Sequence, residues 1–228
     1  MDKFDSDTFI SYRRSDGARV ARWLRDRLQL EPPARFRRAG RLPPRVYLDQ
    51  AFERASDDFW ERVIVPALQA SRVLIVVCTP DALKPQPNGE RNWLELEIET
   101  FCALPQGKNV IAVLAQGASG DKLPGNLRER FPRLQLADLR GLSAWRLLWW
   151  PTRRKLLNEY LKLVPAALGL TDHEIPILRE EQERKERQRL WGVFLASIAS
   201  AAVFASLSAA LWISLGVIAT FEQKCTNL

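Results

Sequence analysis

Val73-Leu74-Ile75-Val76-Val77 places five apolar residues in a row. A run of that kind, with no polar position inside it, suits a central strand of a parallel sheet that is covered on both faces. Val110-Ile111-Ala112-Val113-Leu114 reads the same way. Working outward, residues 7–12 (DTFISY) and 45–49 (RVYLD) are short strands rich in β-branched and aromatic residues, and 134–139 is a last, edge strand. Between them lie segments of helical spacing. Val20, Ala21, Trp23, Leu24 and Leu28 mark one; Phe59, Trp60, Val63, Ile64 and Leu68 another; residues 93–104 and 156–168 two more. Ser15-Asp16-Gly17 offers a turn and a cap for the first helix. The order β-α-β-α-β-α-β-loop-β-α predicts an α/β fold with a central five-stranded parallel sheet flanked by helices. Its strand-to-helix loops gather at the carboxyl edge, where open α/β sheets bind ligands.

After residue 168 the composition changes. Residues 179–189 (REEQERKERQR) are a dense mixed-charge run, read as a solvated helix with i,i+4 ion pairs. Residues 190–221 contain no Asp, Glu, Lys, Arg or His. A bilayer core needs about 20 residues in helical form. The chain therefore divides into a domain at 1–168, a charged stalk at 169–189, a transmembrane helix at 190–221 and a short tail at 222–228. Trp191 and Trp212 stand near the ends of the apolar run, as interfacial aromatics do. Arg179, Arg184, Lys185, Arg187 and Arg189 precede it, while Lys224 alone follows. The positive-inside rule then predicts a single-pass protein with its N-terminal domain in the cytoplasm. Ser197, Ala201, Ala205 and Ala209 recur every four residues and offer a face for helix packing.

The formal net charge of +7 favours anionic partners, including membrane lipid. No nucleic-acid-binding motif accompanies it, so nucleic acid is not an expected partner. Arg35, Arg37, Arg38 and Arg41 read as a solvated loop; Trp145, Trp149 and Trp150 with Arg146, Arg153 and Arg154 are a candidate headgroup contact. The three cysteines, Cys78, Cys102 and Cys225, form no CxxC pair, and His173 is the single histidine. No metal site is expected. Residues 1–7 are polar and acidic with no apolar signal core, so the first domain is expected not to be secreted. Neither GxGxxG nor GxxxxGK[ST] occurs.

Four motifs, in order, carry a resemblance. Asp7-Thr8-Phe9-Ile10-Ser11-Tyr12-Arg13-Arg14 resembles the first signature box of TIR (Toll/interleukin-1 receptor) domains. Arg45-Val46-Tyr47-Leu48-Asp49 is similar to the family's second strand, and residues 50–57 to the loop after it. Residues 71–80 (SRVLIVVCTP) resemble the third strand and its exit. Asn92-Trp93-Leu94-Glu95-Leu96-Glu97 resembles the Trp-x-x-x-Glu helix start. The resemblance covers residues 4–168 and implies a flavodoxin-like fold. It implies one of two functions: cleavage of NAD+ at the nicotinamide–ribose bond, or non-catalytic signalling by TIR–TIR self-association. In the enzymatic kind the last position of Trp-x-x-x-Glu is the catalytic carboxylate, here Glu97. NAD+ is then substrate, with no cofactor. Nicotinamide is already a cationic leaving group, and a carboxylate near the ribose stabilises the oxocarbenium character that develops.

The same resemblance implies that Tyr12, Arg13, Arg14, Tyr47 and Trp93 line the NAD+ site, the arginines by charge-assisted bonds to the diphosphate. It implies that Phe52 and Arg54 belong to an assembly loop that joins TIR domains into a homo-oligomer. That loop carries Ala55-Ser56 where many relatives have glycine. Two readings stay open at the carboxylate. The tryptophan spacing selects Glu97, whereas a gapless count back from Gly107-Lys108-Asn109 selects Glu99. On spacing alone, Glu95, Glu97 and Glu99 read as an ordinary helix surface, Trp93 as core, and Arg13 and Arg14 as a solvated turn. A response-regulator-like domain would need acids after the first strand; Tyr12, Arg13 and Arg14 stand there instead. The expectation is a bacterial protein of the inner membrane that acts in immune-like defence signalling.

Overall fold

The computed structural model describes residues 6–30, 44–48, 57–84, 92–142, 150–170 and 175–226. In chain order these form β1 (Ser6–Tyr12), α1 (Ala18–Leu30), β2 (Val46–Leu48), α2 (Asp57–Phe59), a π-helical turn (Trp60–Ile64), α3 (Val65–Ala70) and β3 (Ser71–Cys78). There follow a 3-10 turn (Asp81–Leu83), α4 (Trp93–Cys102), β4 (Val110–Leu114), a second 3-10 turn (Pro124–Asn126), α5 (Leu127–Arg130), β5 (Gln135–Asp138), α6 (Trp150–Leu168) and α7 (Ile175–Thr226). The chain divides into two compact units between Leu178 and Arg179, ten residues beyond the boundary expected after residue 168.

The first unit is a five-stranded, all-parallel sheet in the order β2-β1-β3-β4-β5. Side chains alternate across the strands, so each strand feeds two cores. Ile10, Val73, Ile75, Val77, Ile111 and Val113 meet α1 and α6 on one face. Phe9, Leu74, Val76, Cys78, Ala112 and Leu114 meet the π-turn, α3, α4 and α5 on the other. The apolar runs of β3 and β4 are buried at every position from Val73 to Cys78 and from Val110 to Leu114.

Several local features depart from the sequence reading. β3 is longer than the five-residue run and β2 shorter, with Asp49 outside the described residues. The helix expected through Phe59 and Leu68 contains a π-turn, closed by a bond from Val65 N–H to the Trp60 carbonyl. Pro66 follows directly; lacking an N–H and crowding the preceding turn, it favours a widened turn there. α6 starts six residues earlier than the apolar spacing indicated, with Pro151 in its first turn, where a missing N–H costs nothing. Ser15 and Asp16 both reach across to Asp81, the hydroxyl of Ser15 donating to its carboxylate (2.7 Å) and Asp16 accepting from its amide (3.0 Å).

α6 ends in a Schellman arrangement. Leu170 N–H donates to the Pro165 carbonyl (2.8 Å) and Gly169 N–H to that of Ala166 (3.2 Å). Gly169 has φ 59°, a left-handed conformation. The Arg72 guanidinium donates to the Ala167 carbonyl (3.0 Å), one of the last turn's orphaned acceptors. It occupies the space a Cβ at position 169 would need.

The second unit is the remainder of α7, whose helix runs without a break from the charged stalk into the apolar segment and on through Thr226. Most of the stalk, all of the membrane segment and most of the tail read from composition thus fall in one 52-residue helix. Within it the 22 residues Arg187–Ser208 are long and apolar enough to cross a membrane by length and composition, and none of that window is buried. At 1.5 Å per residue the window spans about 33 Å, against about 30 Å of bilayer hydrocarbon. The hydroxyls of Ser197, Ser206 and Ser208 donate to carbonyls four residues back (2.9, 2.8 and 2.8 Å), so these three polar groups are satisfied within the helix. The small-residue face through Ala209 lies on this helix.

Gly169→Ala forces a left-handed alanine and displaces Arg72 from Ala167. It is expected to lower the unfolding free energy by about 1–2 kcal/mol in a denaturant titration.

Candidate functional site

The winding of the sheet reverses between β1 and β3: the chain steps from β1 outward to β2, then returns to the other side of β1 for β3, β4 and β5. A crevice opens at such a point, beyond the carboxyl ends of the two strands. Ser11 and Tyr12 end β1, and Cys78 ends β3, with Thr79 directly after it.

Strand alternation puts Ser11 on the same face as Phe9, the face covered by α4. On α4 the apolar stripe is Leu94, Ile98 and Phe101, all buried. Glu97 falls within that stripe, three residues after Leu94, and is 9% exposed. The Ser11 hydroxyl donates a hydrogen bond to its carboxylate. Glu95 and Glu99, one residue or two off the stripe, are exposed. The helix therefore buries one of its three glutamates and leaves the other two exposed.

Tyr47 and Trp93 lie on this face as well. Tyr47 stacks on Phe9 across the β1–β2 pair, with ring centroids 4.9 Å apart. Trp93 precedes Glu97 by one helical turn and packs against Trp60 at 5.5 Å. Tyr12 points to the opposite face, against the core under α1 and α6, so it shares the edge of the sheet with Glu97 but not its face.

Arg13 is half-buried and donates to the Lys84 carbonyl (3.4 Å), which draws it over the segment that follows β3. Arg14 is exposed. Gly17 permits this close return of the chain: its N–H donates to the Arg13 carbonyl at 2.8 Å, and a Cβ would lie 2.8 Å from that oxygen. Asp81 is the knot between the two loops. Lys84 Nζ reaches its carboxylate at 2.6 Å beside the Ser15 bond. The Lys84 hydrogen bond, then that of Ser15, holds the Asp81 carboxyl below the usual carboxylate range, and Asp81 in turn raises Lys84.

Cys78 is buried at the end of β3, and burial pushes its thiol up to about 12, so it is no nucleophile at neutral pH. Among the described residues no group of three His, Cys, Asp or Glu side chains gathers as a metal site. His173, Phe52 and Arg54 lie outside the described residues, as do Arg35, Arg37, Arg38, Arg41, Trp145, Arg146 and Trp149.

Sequence reading missed Ser11 and Asp81. The first was legible in the period-two pattern running from Phe9; the second lies in a loop whose partners come from 65 residues away. No protein-family model matches this chain, and no curated protein matches it.

Ser11→Ala removes a donor from a buried carboxylate. It is expected to lower stability by about 1–3 kcal/mol at pH 7, measured by denaturant unfolding. Glu99→Ala, on the exposed side of the same helix, is expected to change stability by less than about 0.5 kcal/mol.

Proposed function

We propose that the first unit is a TIR-type NAD+ glycohydrolase of flavodoxin-like fold, held at a membrane by α7. The observation that carries the reading is the buried Glu97 carboxylate at the reversal point, bonded by Ser11, with Tyr47 and Trp93 on its side of the sheet. A carboxylate inside an apolar stripe is costly to stability, and such groups are characteristic of functional sites. The strand order 2-1-3-4-5 is that of flavodoxin-like sheets, whose ligands bind at this reversal. The four ordered sequence motifs support the family assignment.

In this reading the bond between nicotinamide and ribose C1′ breaks with its electron pair leaving on nicotinamide. Glu97 stabilises the oxocarbenium character on the ribose. Water adds to C1′ and loses a proton, giving nicotinamide, ADP-ribose and H+. Arg13 sits at the right edge of the sheet to meet the diphosphate, and Trp93 and Tyr47 offer aromatic walls. Arg14, exposed, serves the diphosphate from the mouth of the site. Tyr12 contributes from the far face of β1, by fixing the strand end. TIR domains gathered in a bacterial inner membrane reach a high local concentration, which favours the homo-oligomer. The five basic residues ahead of the apolar segment support a cytoplasmic catalytic unit.

The decisive assay is nicotinamide release from NAD+ by the full chain in proteoliposomes. Glu97→Ala is expected to reduce turnover by at least about 100-fold, equivalent to about 2.7 kcal/mol of barrier, and Glu99→Ala by less than about twofold. The reverse pattern would move the carboxylate to Glu99. A wild-type chain inert at high density would leave a non-catalytic docking domain as the better reading.

Alkaline carbonate washing of expressing cells is expected to leave the full chain in the membrane pellet and to release a chain truncated after residue 174. Release of both would remove the anchor from the proposal.

A further inference from the structure

A second concave site lies at the opposite edge of the sheet. β4 begins at Val110 and β5 at Gln135, and the segments leading into them, with the end of α5 and one turn of α6, enclose a cleft of about 530 Å3. That is within the range of small-molecule sites, about 300–1,000 Å3. Its floor is apolar: Val110 and Ile111 are buried, and Phe131 and Leu134 are half-buried against the same core.

Among the described residues its charge has one sign. Lys108, Arg130 and Arg133 line it, and no described Asp or Glu does. None of the three cations enters an ion pair among the described residues. Arg130 lies beside the Cys102 thiol, whose pKa burial raises, so its neighbour there is a neutral group; Glu99 is the acid that acts on that thiol from α4. Asn109 and Gln135 also line the cleft, and each commits its amide nitrogen to the protein, Asn109 to the Arg72 carbonyl (3.3 Å) and Gln135 to that of Lys162 (2.6 Å). Their amide oxygens remain as acceptors. Three like charges held around an apolar floor repel one another and are relieved by an anion. Two of them are guanidinium forks, which fit phosphate oxygens in pairs. A monoester, with a charge near −2, answers three cations better than a carboxylate or a diester does.

We propose that this amino-edge cleft binds a small organic phosphate monoester, its phosphate on Lys108, Arg130 and Arg133 and its planar or apolar part over Phe131 and Leu134. The site is separate from the Glu97 crevice, which opens at the other end of the strands, and does not depend on NAD+ cleavage. A free nucleotide and a lipid headgroup both present this chemistry.

AMP is the probe, titrated calorimetrically into the full chain in neutral-detergent micelles. Saturable binding is expected, with adenosine at least about tenfold weaker. Arg130→Ala/Arg133→Ala, two exposed changes, is expected to weaken AMP at least about tenfold, and Glu97→Ala to leave it unchanged. Phosphatidate added to the micelles identifies the source. Displacement of AMP admits lipid headgroups to the site, whereas indifference restricts it to soluble esters. The proposal is overturned if AMP, inorganic phosphate and phosphatidate all fail to bind at millimolar concentration. It is equally overturned if the double variant binds AMP as the wild type does, or if adenosine matches AMP.

Discussion

β3 and β4 present no polar side chain between Val73 and Cys78 or between Val110 and Leu114, and the architecture of the first unit follows from that constraint. A strand with two apolar faces must be covered twice. Parallel neighbours with crossover helices supply both covers, which sets α1 and α6 on one side and α3, α4 and α5 on the other. Because β1 has neighbours on both sides, the winding has to reverse beside it. The reversal separates the loops after β1 and β3, and the Ser15–Asp81–Lys84 bonds draw them back into a defined edge. Burial thus decides the layers, the layers decide the reversal, and the reversal decides where a crevice can form.

The parts of this scheme carried by composition are legible in the sequence. The runs of β3 and β4, the alternation of strand and helix, and the change of material after residue 168 all depend on side-chain type at short range. What escaped depends on distance or on backbone geometry. The π-turn before Pro66 leaves no mark in apolar spacing, because Trp60, Ile64 and Leu68 keep helical intervals across it. The short helices at Pro124–Asn126 and Leu127–Arg130 lie in what reads as loop. Lys108 and Arg133 stand far apart in the chain and meet through the pairing of β4 with β5. That Glu97 rather than Glu99 is the buried glutamate lay within reach of the sequence. Leu94, Ile98 and Phe101 define a buried stripe at intervals of four and three, and only Glu97 of the three glutamates falls on it.

α7 shows the opposite relation between sequence and structure. Its composition changes abruptly near residue 190, yet its backbone does not. Helix formation asks only that no residue interrupt the i to i−4 ladder, and neither the Glu/Arg/Lys-rich stalk nor the Ala/Leu/Ser-rich segment contains a proline beyond Pro176. The boundary is one of solvation rather than of fold. At 1.5 Å per residue, the 52 residues form a rod about 78 Å long.

The position of Glu97 also bears on how the chain tolerates change over generations. An aliphatic residue there, with Ser11 replaced by a small apolar residue, would complete the stripe of Leu94, Ile98 and Phe101, a kind of exchange that is often neutral or stabilising at a buried ionisable site. Under selection for folding alone, drift at this codon runs toward leucine or isoleucine. A lineage that keeps the carboxylate does so against the preference of its own core, which makes this position a sensitive record of selection for something other than folding.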